Sequence, residues 1–159
     1  MRPWRCCLFS VGQQQGVEVL DQAILHEIDP KQWPAFTDEQ LRQAVSSGFA
    51  PGHQIPQPFL DQVRDMDFHV FAATSQAIGA YLDEHALPER LARLGKPLLV
   101  IFGEEDRRWR SSSAAEYRAV PGARAEMLPG LGHSPNLEDP ARTAVPLLAF
   151  TANHAPQGD

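Results

Sequence analysis

The stretch Lys96-Pro97-Leu98-Leu99-Val100-Ile101-Phe102-Gly103-Glu104-Glu105-Asp106 decides how this chain folds. Leu98 to Phe102 is an unbroken apolar run closed by Gly103, as expected of a strand buried on both faces of a parallel sheet. Ahead of it, Leu87, Leu91 and Leu94 mark a short helix stopped at Gly95 and Pro97. Behind it, Ser113-Ala114-Ala115-Glu116 has the form of a capping box and predicts a helix ending near Pro121-Gly122. Ala123 to Leu128 then predicts a second strand, completing a strand–helix–strand unit. After that strand comes Pro129-Gly130-Leu131-Gly132-His133-Ser134-Pro135.

Function in an open parallel sheet gathers at the carboxyl ends of its strands. Here the first end carries Asp106 and the second carries His133. The glycines flanking His133 permit tight turns and leave the imidazole approachable. A histidine base held by a carboxylate is the chemistry such a pair offers. Either residue taken alone has a plainer reading: Asp106 as a turn or capping residue, His133 as a surface histidine.

Further outward the chain reads as four zones. Residues 1–28 are an uncertain segment, with a short strand over Trp4–Val11 and helix-like spacing from Val17 to Ile28. Residues 29–94 are helical and loop-rich. There Thr37-Asp38-Glu39-Gln40 forms a capping box, and Pro51, Gly52, Pro56 and Pro58 mark a loop. Leu60, Val63, Met66, Val70, Ala73, Ala77 and Tyr81 recur every three or four residues, as on one long amphipathic helix or two in tandem. Residues 95–152 hold the two strands and a closing helix. That helix has Asp139 as N-cap, Pro140 in its first turn, a kink expected at Pro146, and Ala141, Val145 and Leu148 on one face. Residues 153–159 form a frayed tail.

The stretch Leu87–Phe150 resembles the C-terminal part of an α/β-hydrolase-fold protein. Leu-Pro-x-Arg-Leu at 87–91, Lys-Pro-Leu-Leu-Val-Ile-Phe-Gly-x-x-Asp at 96–106, Pro-Gly-x-Gly-His-Ser-Pro at 129–135 and Glu138-x-Pro140 carry the resemblance. It implies an α/β fold with an incomplete parallel sheet, the N-terminal half of the fold being absent, and a helical lid over 29–94. It also implies Asp106 as the catalytic acid and His133 as the base of a nucleophile–His–Asp triad. That triad would act on an ester-like or related bond of a small apolar molecule.

The family writes its nucleophile on a Gly-x-Ser-x-Gly elbow that precedes acid and histidine. No such motif occurs in these 159 residues. Ser134 fails as a substitute because the next residue must donate a backbone N–H to the oxyanion, and Pro135 has none. Ser10 is a weak candidate: Leu8 stands where a small residue belongs, and Gln13–Gln15 open a helix poorly. The nucleophile is therefore not identified. An alternative reading is a catalytically inactive hydrolase remnant acting as a binding or dimerising module, with a homodimer as its expected assembly.

Composition narrows the partners. With 14 basic and 20 acidic residues the formal charge is −6, unsuited to general binding of nucleic acid or an anionic membrane. No apolar run reaches the roughly 18 residues of a membrane span, and the Cys6–Val11 run is short for a signal-peptide core. The expectation is a cytoplasmic protein whose partner is a small-molecule substrate. His26, His53, His69, His85 and His154 are scattered, and the only cysteines are the adjacent Cys6-Cys7. Neither a metal nor another cofactor is expected. Arg107, Arg108 and Arg110 read as structural, paired with acidic neighbours and stacked on Trp109, with carboxylate binding as a second reading.

Overall fold

The computed structural model describes residues 6–9, 30–84 and 86–154. Ser10, the Val17–Ile28 spacing, His26, His85 and the tail beyond His154 lie outside them. Three parallel strands stand in the order β1-β2-β3: β1 (Cys6–Phe9), β2 (Leu98–Gly103) and β3 (Ala123–Leu128). Cys6 pairs with Leu98, and Leu98 with Ala123. The central strand is buried along its whole length, as its apolar run predicts. Alternate side chains of a strand point to opposite faces, so β2 feeds two cores. Leu98, Val100 and Phe102 pack with Leu82, Leu87, Leu91, Tyr117 and Val120, while Leu99 and Ile101 pack with Leu128, Leu131 and Phe150.

Between β1 and β2 the described residues form four helices, α1 (Asp38–Val45), α2 (Gln57–Arg64), α3 (Phe68–Glu84) and α4 (Leu87–Leu94), with 3-10 turns at Pro30–Ala35 and Ser46–Gly48. The capping box of α1 forms as read. Thr37 Oγ1 accepts from the Gln40 amide, and Gln40 Oε1 accepts from the Thr37 amide. Gly95 ends α4 in the left-handed region at φ 55°, where a side chain would be strained. The helical segment has its own core of Trp33, Leu41, Val45, Phe49, Leu60, Val63 and Phe68. Trp33 centres it, with ring centroids 5.3 Å from Phe68 and 5.6 Å from Phe36, and donates its indole N–H to the Met66 carbonyl at 3.1 Å.

At three places the structure sharpens or departs from the local sequence pattern. The apolar spacing after Pro58 resolves into two helices in tandem, and within α3 the recurring apolar positions lie on the exposed side. Met66, Val70 and Tyr81 are exposed, Val70 at 61%, whereas Phe68, Gly79 and Leu82 are buried. In α6 (Pro140–Asn153) Ala141, Val145 and Leu148 likewise face out, and Thr143 and Phe150 face in. Both helices carry apolar residues around much of their circumference, so periodicity alone cannot choose the buried side. The third is a correction at Ser113. It caps nothing; its hydroxyl donates back to the Arg110 carbonyl at 2.7 Å within a 3-10 helix over Ser111–Ala119. Asp139 does cap α6, accepting from the Arg142 amide, and the helix runs on through Pro146.

Candidate active site

Beyond β2 the backbone turns at once and is laced to the end of β3. The Glu104 amide donates to the Leu128 carbonyl (3.1 Å) and the Glu105 amide to the Leu131 carbonyl (2.9 Å). The two strand-end loops are thereby brought together, as parallel register requires. Glu104 and Glu105 point to solvent. The Asp106 side chain does not: it is wholly buried. Its Oδ1 accepts from the amides of Arg108 (2.8 Å) and Trp109 (3.0 Å), which fixes the carboxylate against its own loop.

The other oxygen, Oδ2, lies 3.0 Å from Nδ1 of His133. A carboxylate only accepts, so the ring proton belongs on Nδ1 and Nε2 keeps its lone pair. The imidazole is 20% exposed, and its ring lies 6.4 Å from that of Trp109. An imidazole oriented by a buried carboxylate in this way can serve as a general base. Both residues singled out in the sequence thus meet, while Ser10 lies outside the described residues.

Sequence reasoning passed over Glu138. This side chain, on the short helix α5 (Pro135–Glu138), accepts from the Gly132 amide (3.0 Å to each oxygen) and from the Ser134 amide (3.2 Å). Its Oε2 also accepts from the Ala50 amide at 2.9 Å, reaching into the helical segment. The one signal was Glu138-x-Pro140 itself, in which nothing local discloses so distant a donor. The glycines too do more than turn. A Cβ on Gly132 would stand 2.3 Å from the Ala50 nitrogen, and one on Gly103 would stand 2.0 Å from the Gly132 carbonyl oxygen. Three backbones are in direct contact there, and only glycine lets them close.

The basic cluster also proves to be a connector. Arg107 donates to the Ser46 carbonyl, and Arg108 Nε donates to Ser47 Oγ at 3.1 Å with its guanidinium over Gly48. Two of its arginines are thereby anchored on the helical segment. His53 stacks parallel on Phe49, and His154 packs on Phe150. Among the described residues no three His, Cys, Asp or Glu side chains gather as a metal site, and no helix is long and apolar enough to cross a membrane.

Residues 11–145 match the family model described as alpha/beta hydrolase family. The chain belongs to that family. This α/β-hydrolase is similar in structure to the meta-cleavage product hydrolase of Pseudomonas fluorescens IP01, at TM-score 0.71 and 15% identity over 94% of this chain and 56% of that one. A thermophilic esterase matches at TM-score 0.61 and 21% identity, covering 92% of this chain and 55% of the other. A bacterial membrane phospholipase A matches at TM-score 0.62 and 19% identity, covering 94% and 49%. At such identities the likeness is one of fold. This α/β-hydrolase spans about half the length of those proteins, in keeping with a partial version of the fold. No curated protein sequence matches it significantly.

Proposed function

We propose that this α/β-hydrolase supplies the acid and base of a nucleophile–His–Asp triad acting on an ester-like bond of a small apolar molecule. The contact between His133 Nδ1 and the buried Asp106 carboxylate carries the reading. His133 takes a proton from the nucleophile through Nε2 and later returns it to the leaving group. Asp106 holds the tautomer and offsets the charge of the imidazolium. The helical segment 29–94 serves as the lid above the strand ends. The nucleophile comes from sequence outside these 159 residues, with Ser10 as the weaker candidate within them. The esterase and phospholipase among the similar structures favour the acyl class of bond, although one fold serves many chemistries.

A fluorophosphonate probe tests this on protein purified natively with whatever chains accompany it. Labelling should map to one serine and fall about 10³-fold or more in His133→Ala. Undiminished labelling in that variant would sink the assignment. A second reading rests on the exposed apolar residues Val70, Ile78 and Tyr81 of α3 and Val145 and Leu148 of α6. These would suit a non-catalytic, self-associating module. It is favoured by a protein that never labels and sediments as a dimer, and ruled out by a monomer that labels.

A further inference from the structure

We propose that Glu138 is a positioning residue for His133, locking the histidine loop to the helical segment so that the imidazole is held only while that segment is seated. The inference rests on the proposed roles of Asp106 and His133 and adds a means of control to them. Its basis is where the donors of one carboxylate come from. Gly132 and Ser134 flank His133 on either side, so their amides fix the backbone that carries the imidazole. Ala50 belongs to the turn that follows the Ser46–Gly48 3-10 segment, far away in sequence. A single side chain therefore closes three amide hydrogen bonds across two parts of the fold. Each is charge-assisted and stronger than a neutral bond.

The same turn is gripped from the other side. Arg107 and Arg108, directly after Asp106, hold Ser46 and Ser47. The acid loop and the histidine loop thus fasten independently onto Ser46–Ala50. The stacked backbones of Gly103, Gly132 and Ala50 leave no slack between them. Displacing the turn would pull on both partners of the Asp106–His133 contact, and the pull on His133 passes through Glu138.

Glu138→Gln is the informative change. It keeps the size of the side chain but turns one acceptor into a donor, so at least one of the three amides faces an N–H group instead of an oxygen. In the full chain labelled with ¹⁵N, two quantities are read. Native-state exchange of the Ala50, Gly132 and Ser134 amides should speed up about tenfold or more at whichever side loses its acceptor. The His133 ring should change from a single tautomer protonated on Nδ1 to a mixture. A purely structural role would raise exchange everywhere and leave the tautomer of the folded molecules unchanged; that outcome overturns the proposal, as does unaltered exchange. Should the variant fail to fold, the unmutated protein still decides. Its three amides should share one protection factor and one denaturant dependence, and unrelated values overturn the proposal. The two readings fail separately. A wild-type His133 not protonated on Nδ1 refutes the acid–base pair itself, whereas a correct wild-type tautomer that survives in Glu138→Gln refutes only the lock.

Discussion

Around Trp33 the helical segment packs ring against ring, with Phe36, Phe68 and Phe71 all within 6.0 Å between centroids. Around β2 the strand segment instead packs mostly aliphatic side chains, with Phe102, Tyr117 and Phe150 among them, on both faces of a fully buried strand. Among the described residues, the first core draws on the helical segment alone. The second draws only on its far end, through Leu82 of α3 and then Leu87 and Leu91 of α4. Where the two segments meet at the strand ends, the joints are polar: Arg107 to Ser46, Arg108 to Ser47, Glu138 to Ala50. Apolar contact is non-directional, whereas these hydrogen bonds specify an angle and a distance. The contrast teaches that each segment holds itself together by burial and is aligned on the other by hydrogen bonding.

That contrast can be broken most severely at the joint. Gly132→Ala places a Cβ against the backbone of Phe49 and Ala50, which cannot yield as a flexible side chain would. A loss of more than about 4 kcal/mol in denaturant unfolding is expected. A loss below about 1 kcal/mol would mean the segments can separate freely. Trp33→Ala comes next. Removing the centre of the helical core should cost about 3–5 kcal/mol, and the loss should be local. Amides of α1 and α2 should lose exchange protection while those of β2 keep theirs; equal loss in both would show one core, not two.

The smallest effect concerns the ion pair of Asp38 with Arg64, which ties α1 to α2. The hydrogen bond from the Arg64 guanidinium holds the Asp38 carboxyl below its ordinary value of 3.8. A depressed carboxyl stabilises the fold above its unfolded-state value and ceases to do so as the pH falls through the lower, folded-state one. Melting of the helical segment should therefore grow slightly easier below about pH 4. Asp38→Asn should remove that dependence, and added salt should weaken it. An unchanged pH profile in Asp38→Asn would assign the dependence to another group.

How much of this was legible depended on whether a signal was local. The Leu98–Phe102 run fixed β2 because a strand buried on both faces tolerates no polar residue, and its two flanks then placed β3 and α4. Thr37 and Asp139 were readable as caps because a cap and its amide sit three residues apart. Asp106 and His133 stood out because parallel strands must deliver their ends to one edge. The buried faces of α3 and α6 were not readable. Val70 and Phe71 are neighbours of similar apolarity, and tertiary packing alone decides that Phe71 turns inward toward Trp33. The contacts of Glu138 and Gly132 were not readable for another reason. Their partners, Ala50 and Phe49, are backbone atoms remote in the chain, and a backbone amide leaves no trace in the residue type that carries it.

The placement of the indoles has a spectroscopic consequence. Of the three tryptophans, Trp33 is sealed inside the helical core at 2% exposure, and Trp109 stands beside the His133 imidazole. The first should emit at the blue end of the indole range and report only the integrity of its own segment. The second has for a neighbour a ring that quenches indole light once protonated. Each half of the comparison thus carries its own lamp, one lit by packing and the other dimmed by a proton on the histidine.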